Sequence, residues 1–129
     1  MIVVLDTNVW VSGLEFGGTP GRAIDKVLPR DFPAISVFIQ NEIVRTVIKK
    51  FGWEKAELKK LDELLAQALF TEVAGEITGV CRDRKDDAIL ETAWKAGANL
   101  LVAGDKDLLS LGNFRGIPII TPAEYVIDK

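Results

Sequence analysis

The stretch at residues 3–8, VVLDTN, places a carboxylate directly after a run of apolar residues. Residues 2–5 are continuous, short and rich in β-branched side chains, which is typical of a strand covered on both faces. Apolar residues resume at positions 9–11, so Asp6 lies between two apolar runs. A carboxylate in such a place costs free energy unless a hydrogen bond or an ion compensates it. We therefore expect Asp6 either to cap a following helix or to bind a cation.

The rest of the chain alternates strand-like and helix-like segments. Strands are predicted at 2–5, 33–36, 71–73, 99–103 and 117–120, helices at 20–28, 37–51, 54–70, 86–96, 107–111 and from residue 122, and a loop at 16–21. This alternation indicates an α/β fold, a three-layer α/β/α sandwich around a mostly parallel sheet of about five strands. No repeat or linker interrupts the pattern, so residues 1–129 are predicted to form a single domain. Ligands of such sheets bind beyond the carboxyl ends of the strands, where the strand order reverses.

The composition restricts the chemistry. The chain has no histidine and one cysteine, Cys81, which excludes imidazole bases, histidine-ligated zinc and thiolate cages. Any bound metal must therefore have oxygen ligands, which favours Mg²⁺ or Mn²⁺. The net charge of −3 argues against tight nonspecific DNA binding, but it leaves open a nucleic-acid substrate held by a metal and local cations.

The same totals predict a cytoplasmic protein with no membrane partner. No apolar run approaches the roughly 18 residues of a membrane-spanning helix. The first residues lack the basic flank of a secretory signal. The single cysteine fits a reducing compartment.

Three aspartates are candidates for a shared site. Asp6 and Asp105 each follow a strong strand, and Asp86 is in line with the apolar stripe of its helix, since apolar residues follow it at +3, +4, +7 and +8. Taken singly, each aspartate can equally be a helix cap or a first-turn acid. If the strands at 2–5 and 99–103 are neighbours, the three carboxylates converge, and such a cluster repels itself unless a cation neutralises it.

Four segments in order resemble the PIN-domain nucleases: VVLDTNVWVS, the stretch from Ser36 to Glu42, DRKDDAILETA and LLVAGDKDLL. The likeness covers nearly the whole chain and is to the single-domain bacterial and archaeal branch described as toxins of toxin–antitoxin pairs. The resemblance implies that the four acids of the family are Asp6, Glu42, Asp86 and Asp105. Spacing alone places Glu42 on the polar side of its helix and does not make it catalytic.

The resemblance also implies supporting residues. Asn8 and Asp107 would orient the metal ligands, and Asp87 is the alternative to its neighbour Asp86 as the third acid. Ala103 stands where the family usually has threonine or serine, a departure that leaves full activity in question.

The implied activity is metal-dependent hydrolysis of RNA. Mg²⁺ or Mn²⁺ held by Asp6, Asp86 and Asp105 would activate the water that attacks phosphorus, and Glu42 would position that water or a second metal. The products would be a 5′-phosphate and a 3′-hydroxyl. The partners implied are an RNA substrate, an antitoxin protein and a second copy of the chain.

Basic residues near the acids are candidates for substrate binding. Arg82, Arg84 and Lys85 precede Asp86, and Lys106 is beside Asp105. A second basic cluster consists of Arg45, Lys49 and Lys50. Both groups can equally be ordinary solvated charge.

Two rival functions remain open on the sequence. A Mg²⁺-dependent phosphatase of the haloacid-dehalogenase type also has an aspartate after its first strand, but it needs a second aspartate where this chain has Asn8. A catalytically weak or inactive PIN-like module that binds nucleic acid or protein is the other rival. It predicts that Asp6→Asn leaves function intact.

Overall fold

The computed structural model describes residues 1–127 and has a central sheet with helices packed around it. The strands are β1 (Ile2–Leu5), β2 (Phe32–Ser36), β3 (Leu69–Thr71), β4 (Leu100–Val102), β5 (Asn113–Phe114) and β6 (Ile117–Ile120). The helices are α1 (Thr7–Phe16), α2 (Gly18–Arg30), α3 (Val37–Phe51), α4 (Lys55–Leu65), α5 (Arg84–Ala96), α6 (Lys106–Leu111) and α7 (Pro122–Val126). The α/β class predicted from the alternation of patterns is confirmed.

The sheet is mostly parallel, as predicted. Within residues 1–127 its strand order is β3-β2-β1-β4-β6-β5, and every neighbouring pair is parallel except β5 with β6. β1 pairs with β2 on one side and with β4 on the other, so the chain changes direction across the sheet between β1 and β4. The sequence analysis made convergence of the aspartates conditional on these two strands being neighbours; that condition is met, and their carboxyl ends form the switch point of the fold.

The predicted number of strands was one too few, because β5 has two residues and carries no periodic pattern. It forms a hairpin with β6 through Arg115 and Gly116, whose φ angles are 52° and 85°. Positive φ at both central residues is what a tight type I′ hairpin turn needs. The side-chain oxygen of Asn113 accepts a hydrogen bond from the Gly116 N–H at 3.0 Å and closes the turn.

The hydrophobic core lies on both faces of the central strands. Val3, Val4 and Leu5 of β1 are fully buried, as are Leu101 and Val102 of β4. Because successive strand residues point to opposite faces, burial without alternation means that helices cover both faces. Separately, none of the helices between residues 1 and 127 combines the length and apolarity that a membrane crossing requires.

The helix predicted at 54–70 was too long, and the strand predicted at 71–73 began too late. α4 ends at Leu65, and β3 begins at Leu69. Helical periodicity continues through these residues in the sequence, but parallel pairing of β3 with β2 places Leu69 beside Ala34 and Phe70 beside Ile35. Tertiary pairing therefore outweighs local helix preference here.

The loop predicted at 16–21 was also wrong, since α1 and α2 are separated by Gly17 alone. Gly17 has a φ of 73°, which permits the sharp turn. A side chain at Gly13 would come within 2.9 Å of the Pro20 backbone and 2.6 Å of Ile24, so glycine there allows the two helices to pack closely.

Candidate active site

The carboxyl ends of β1 and β4 bring Asp6 and Asp105 together. Asp6 is 1% exposed and accepts hydrogen bonds from the Val9 N–H (2.9 Å, Oδ1) and the Gly104 N–H (3.1 Å, Oδ2). The first bond caps α1, and the second joins the end of β1 to the segment that follows β4. The capping role considered for Asp6 is therefore real, and it coexists with a position beside Asp105.

Asp105 is likewise both a cap and a member of an acidic cluster. Its Oδ1 accepts hydrogen bonds from the N–H groups of Asp107 (2.8 Å) and Leu108 (3.3 Å) at the start of α6. Ligand oxygens of Asp86, Asp105 and Asp107 lie within 4.8 Å of one another. We call these three residues the acid trio. The trio includes Asp107, which was predicted as a supporting residue, and Asp6 lies close enough to Asp105 for their charges to interact.

The first turn of α5 supplies Asp86. Asp83 caps this helix by accepting a hydrogen bond from the Lys85 N–H at 2.9 Å, and the helix begins two residues before the predicted start. Asp86 is buried and faces the carboxylates of Asp105 and Asp107. Its predicted place on the inward side of the helix agrees with this position.

Two carboxyl groups at this edge of the sheet, Asp6 and Asp86, have pKa values above the ordinary value of an aspartate. Burial raises the pKa of Asp6 to about 6, and the charge of Asp105 adds to this against the hydrogen bonds from Val9 and Gly104. Burial also raises the pKa of Asp86 to about 6, with further contributions from the charges of Asp105, Asp83, Asp107 and Asp6. Removal from water and mutual repulsion both disfavour the ionised forms.

The donor set fits a hard divalent cation. The acid trio offers only carboxylate oxygens, the ligands that Mg²⁺ and Mn²⁺ prefer. Burial and the neighbouring acids raise the pKa values of Asp6 and Asp86, and a bound cation would favour their ionised forms. Asp86, Asp105 and Asp107 have carboxylates close enough together to hold one ion, and the charge of Asp6 interacts with that of Asp105.

Glu42 lies across a cleft from the trio. The cleft has a volume of about 360 Å³ and is lined by Thr7, Asn8, Phe38, Glu42, Arg45, Thr46, Lys49, Lys50, Asp83, Lys85, Asp86, Ile89 and Asp105. The carboxylate of Glu42 forms ion pairs with Arg45 at 2.7 Å and with Lys85 at 3.7 Å. Glu42, Asp86 and Asp105 thus share one cleft, which spacing alone did not indicate for Glu42.

Other predicted residues are divided between this cleft and the surface around it. Asn8 and Lys85 line the cleft, whereas Arg84 and Lys106 are exposed outside it. Arg82 forms a bidentate pair with Asp107, with its Nη2 2.7 Å and its Nε 3.3 Å from the carboxylate oxygens. This pair lowers the pKa of Asp107.

Asp87 lies apart from the trio. It is buried and accepts a hydrogen bond from the Cys81 N–H at 2.8 Å. It lines a different cavity, which it shares with Glu91. Because a helical neighbour points about 100° away, the first turn of α5 directs Asp86 and Asp87 to different surroundings.

One feature of the cleft was not singled out from the sequence. The Thr7 hydroxyl is buried at the cleft and has no hydrogen-bond partner among residues 1–127. Its position next to Asp6 was the only available signal. The second basic cluster noted in the sequence, Arg45, Lys49 and Lys50, lines the same cleft as the acids.

Comparison with known proteins identifies the family and the fold. A family model described as PIN domain matches residues 2–107. One solved structure that the chain resembles is the crystal structure of VapBC2 from Rickettsia felis bound to a DNA fragment from their promoter. The match has a TM-score of 0.66 at 19% identity and covers 92% of this chain and 97% of that chain. No curated protein matches the sequence.

The two positive comparisons establish different things. At 19% identity the structural likeness establishes the fold alone. The family model spans most of the chain and agrees with the motifs that carried the resemblance in the sequence. The chain therefore belongs to the PIN-domain family.

Proposed function

We propose that this protein is a divalent-metal-dependent nuclease that hydrolyses phosphodiester bonds of RNA. The observation that carries the proposal is the acid trio, whose ligand oxygens lie within 4.8 Å of one another at the switch point of the sheet. Membership of the PIN-domain family supports nuclease chemistry at this position. The absence of histidine leaves carboxylates and a metal as the means of handling protons.

Asp86, Asp105 and Asp107 would hold Mg²⁺ or Mn²⁺. A bound ion of this kind supplies Lewis acidity toward the phosphodiester and makes water more acidic. Asp6 acts as a positioning residue: its two backbone hydrogen bonds fix the end of β1 against the segment carrying Asp105. Arg82 holds Asp107 in place from the outer side of the trio.

The opposite wall of the cleft would handle the nucleophile and the substrate. Glu42 faces the cleft from α3 and is suited to orient a water molecule and accept its proton. The exposed amide of Asn8 can donate hydrogen bonds to the sugar–phosphate backbone. Cleavage would leave a 5′-phosphate and a 3′-hydroxyl.

We further propose that the protein acts as the toxin of a toxin–antitoxin pair in the cytoplasm. The likeness of its fold to a chain of VapBC2 supports this role. The partner would be an antitoxin protein that masks the cleft, and a second copy of the chain is a further candidate partner.

The proposal is tested by cleavage of RNA with purified protein in Mn²⁺, with and without EDTA. We expect cleavage in Mn²⁺, none in EDTA, and none with Asp105→Asn. The matched control is Asp62→Asn, which changes an exposed aspartate on α4 away from the cleft. Cleavage that survives both EDTA and Asp105→Asn would refute the mechanism, and RNA binding without cleavage would favour an inactive binding module.

A further inference from the structure

One face of α3 forms a continuous wall of the cleft. Phe38, Glu42, Arg45 and Lys49 recur at intervals of three or four residues, so they lie on one side of the helix, with Thr46 and Lys50 beside them. All six line the cleft. The opposite side of α3 carries the buried residues Ile39, Ile43 and Val47. The cations therefore belong to the cleft and not to an unrelated surface.

The charges on this wall are segregated from the acid trio. Arg45 and Lys85 have side chains that are 62% and 60% exposed, and Lys49 and Lys50 are also exposed. Neither Lys49 nor Lys50 forms an ion pair with any carboxylate of residues 1–127. Three of these cations are on α3 and Lys85 is on α5, and in a chain with a net charge of −3 four cations in one cleft are a local concentration of positive charge. We call Arg45, Lys49, Lys50 and Lys85 the basic wall.

We propose that the basic wall binds the backbone phosphates of single-stranded RNA on one side of the bond that is cut. The proposal rests on the proposed nuclease function, because it assigns the path of that substrate. From Glu42 to Lys49 the helix rises by about 10 Å, so the lysines lie beyond the catalytic end of the cleft and reach flanking phosphates. The cleft volume of about 360 Å³ is in the range of small-molecule pockets, which is enough room for one nucleotide of a single strand.

The carboxylate of Glu42 competes with RNA phosphates for two cations of the basic wall. In the free protein its carboxylate forms ion pairs with Arg45 and Lys85, the same cations that would bind a phosphate of RNA. RNA phosphates that engage Arg45 and Lys85 displace this carboxylate from its ion pairs. The displaced Glu42 is then free to turn toward the acid trio and the nucleophile. Substrate binding and the placement of Glu42 are coupled in this way.

The first test measures binding of a fluorescein-labelled single-stranded oligouridylate by anisotropy in EDTA, between about 50 and 200 mM salt. Lys49→Ala/Lys50→Ala should bind more weakly than wild type. Its plot of log affinity against log salt should be shallower by about 1.4, since each lost single-strand phosphate contact contributes about 0.7. The matched control is Lys59→Ala/Lys60→Ala, which removes two adjacent exposed lysines from α4 and should leave binding and slope unchanged.

The second test uses Glu42→Gln in the same assay. Loss of the competing carboxylate should tighten RNA binding. If the role of Glu42 were only to stabilise the fold, the affinity for RNA would not change. Thermal unfolding of each variant checks that the fold is intact. Tighter binding together with lost cleavage is the expected combination for this variant.

The outcomes separate this inference from the proposed function. Equal binding by wild type, Lys49→Ala/Lys50→Ala and the α4 control overturns the basic wall, as does a wild-type protein that does not bind the oligouridylate. If the Lys49→Ala/Lys50→Ala variant cleaves RNA in Mn²⁺ with an unchanged KM, RNA binding by the basic wall is refuted and the nuclease function is not. If RNA binding depends on Lys49 and Lys50 but the wild-type protein does not cleave RNA in Mn²⁺, the nuclease function is refuted and RNA binding by the basic wall is not.

Discussion

Two groups of buried acids in this protein have opposite electrostatic surroundings. Glu91 on α5 is fully buried, and although burial raises its pKa, backbone N–H groups of Ile77, Ala74 and Glu76 and the Lys95 ammonium lower the pKa below its ordinary value. Asp6 and Asp86 at the cleft have their pKa values raised to about 6. Burial is common to both groups, so burial does not distinguish a structural acid from a functional one.

The difference lies in what surrounds each carboxylate. The two oxygens of Glu91 accept hydrogen bonds from Ala74 at 2.6 Å and Ile77 at 2.9 Å, and Lys95 lies 3.6 Å away. Asp6 also accepts two backbone hydrogen bonds, but its charged neighbour is another acid, Asp105. The ionised form of Glu91 is therefore stabilised by hydrogen bonds and an ammonium group, whereas the charged neighbour of Asp6 is an acid that disfavours ionisation.

The largest effect expected from this comparison is on activity. Loss of a residue that only supports a metal ligand lowers activity by up to about 100-fold. Asp86→Asn removes a proposed ligand itself, so it should lower RNA cleavage by more than about 100-fold. It should also abolish the stabilisation of the fold by Mn²⁺, which reaches about 2.7 kcal/mol at a concentration 100 times the Kd. Cleavage rates and thermal unfolding across a Mn²⁺ titration measure the two effects.

Glu91→Gln is the matched control, since it neutralises a buried carboxylate on the same helix. It should keep the stabilisation by Mn²⁺. Loss of that stabilisation in both variants would show that the two groups of acids are not functionally distinct.

The second expected effect is on stability. Glu91→Gln should lower the free energy of unfolding by about 2 kcal/mol at neutral pH, because it weakens charge-assisted hydrogen bonds that hold residues 74–77 to α5. Chemical denaturation in EDTA measures this loss. Glu76→Gln, which changes only the exposed partner of Lys95, should cost less than about 1 kcal/mol. Equal losses would mean that the surface ion pair, and not the buried network, stabilises this region.

The third expected effect is on the free energy of unfolding of the metal-free protein, which should first rise and then fall as the pH is lowered. The native pKa of Asp86 lies above its ordinary value of 3.8, so its ionisation destabilises the fold at neutral pH, and stability should rise as the pH falls through about 6. With allowance for solvent screening, this gain should be about 1 kcal/mol. The native pKa of Glu91 lies below its ordinary value of 4.5, so its contribution is present above that pH and is lost as the pH falls further.

Variants assign the rise and the fall to their residues. Asp86→Asn should reduce the rise in stability between pH 7 and about 5, and Glu91→Gln should reduce the fall at lower pH. Unfolding free energies from denaturant titrations in EDTA across this range give the measurement. A rise that is unchanged in Asp86→Asn would contradict the account of crowding at the cleft.

The sequence was sufficient for the sheet and for the convergence of the strand-end acids. Runs such as residues 2–5 are buried on both faces, and this leaves a pattern that predicts a central parallel strand. The position of Asp6 after β1 and of Asp105 after β4 then follows from the fact that parallel neighbours end at one edge.

The sequence was not sufficient where a side chain's role depends on tertiary surroundings. Glu42 lies on the polar side of α3, and only the placement of α3 against the switch point turns that side into a wall of the cleft. The resemblance implied only a supporting role for Asp107, yet its carboxylate lies in the acid trio. No periodicity carries such information, since it describes one element and not the distance between two.

The smallest expected effect distinguishes Asp86 from its neighbour in the first turn of α5. Asp87→Asn should leave cleavage and Mn²⁺ stabilisation at wild-type levels, because Asp87 faces the Cys81 N–H and a different cavity. Its cost in stability should be about 0.5–1 kcal/mol, since asparagine keeps an acceptor oxygen and loses only the charge assistance. Parallel assays of Asp86→Asn and Asp87→Asn decide the matter, because both remove one negative charge from the same helix turn. If Asp87→Asn is the variant that abolishes cleavage, the acid trio is assigned to the wrong residue, and α5 must turn when the metal binds.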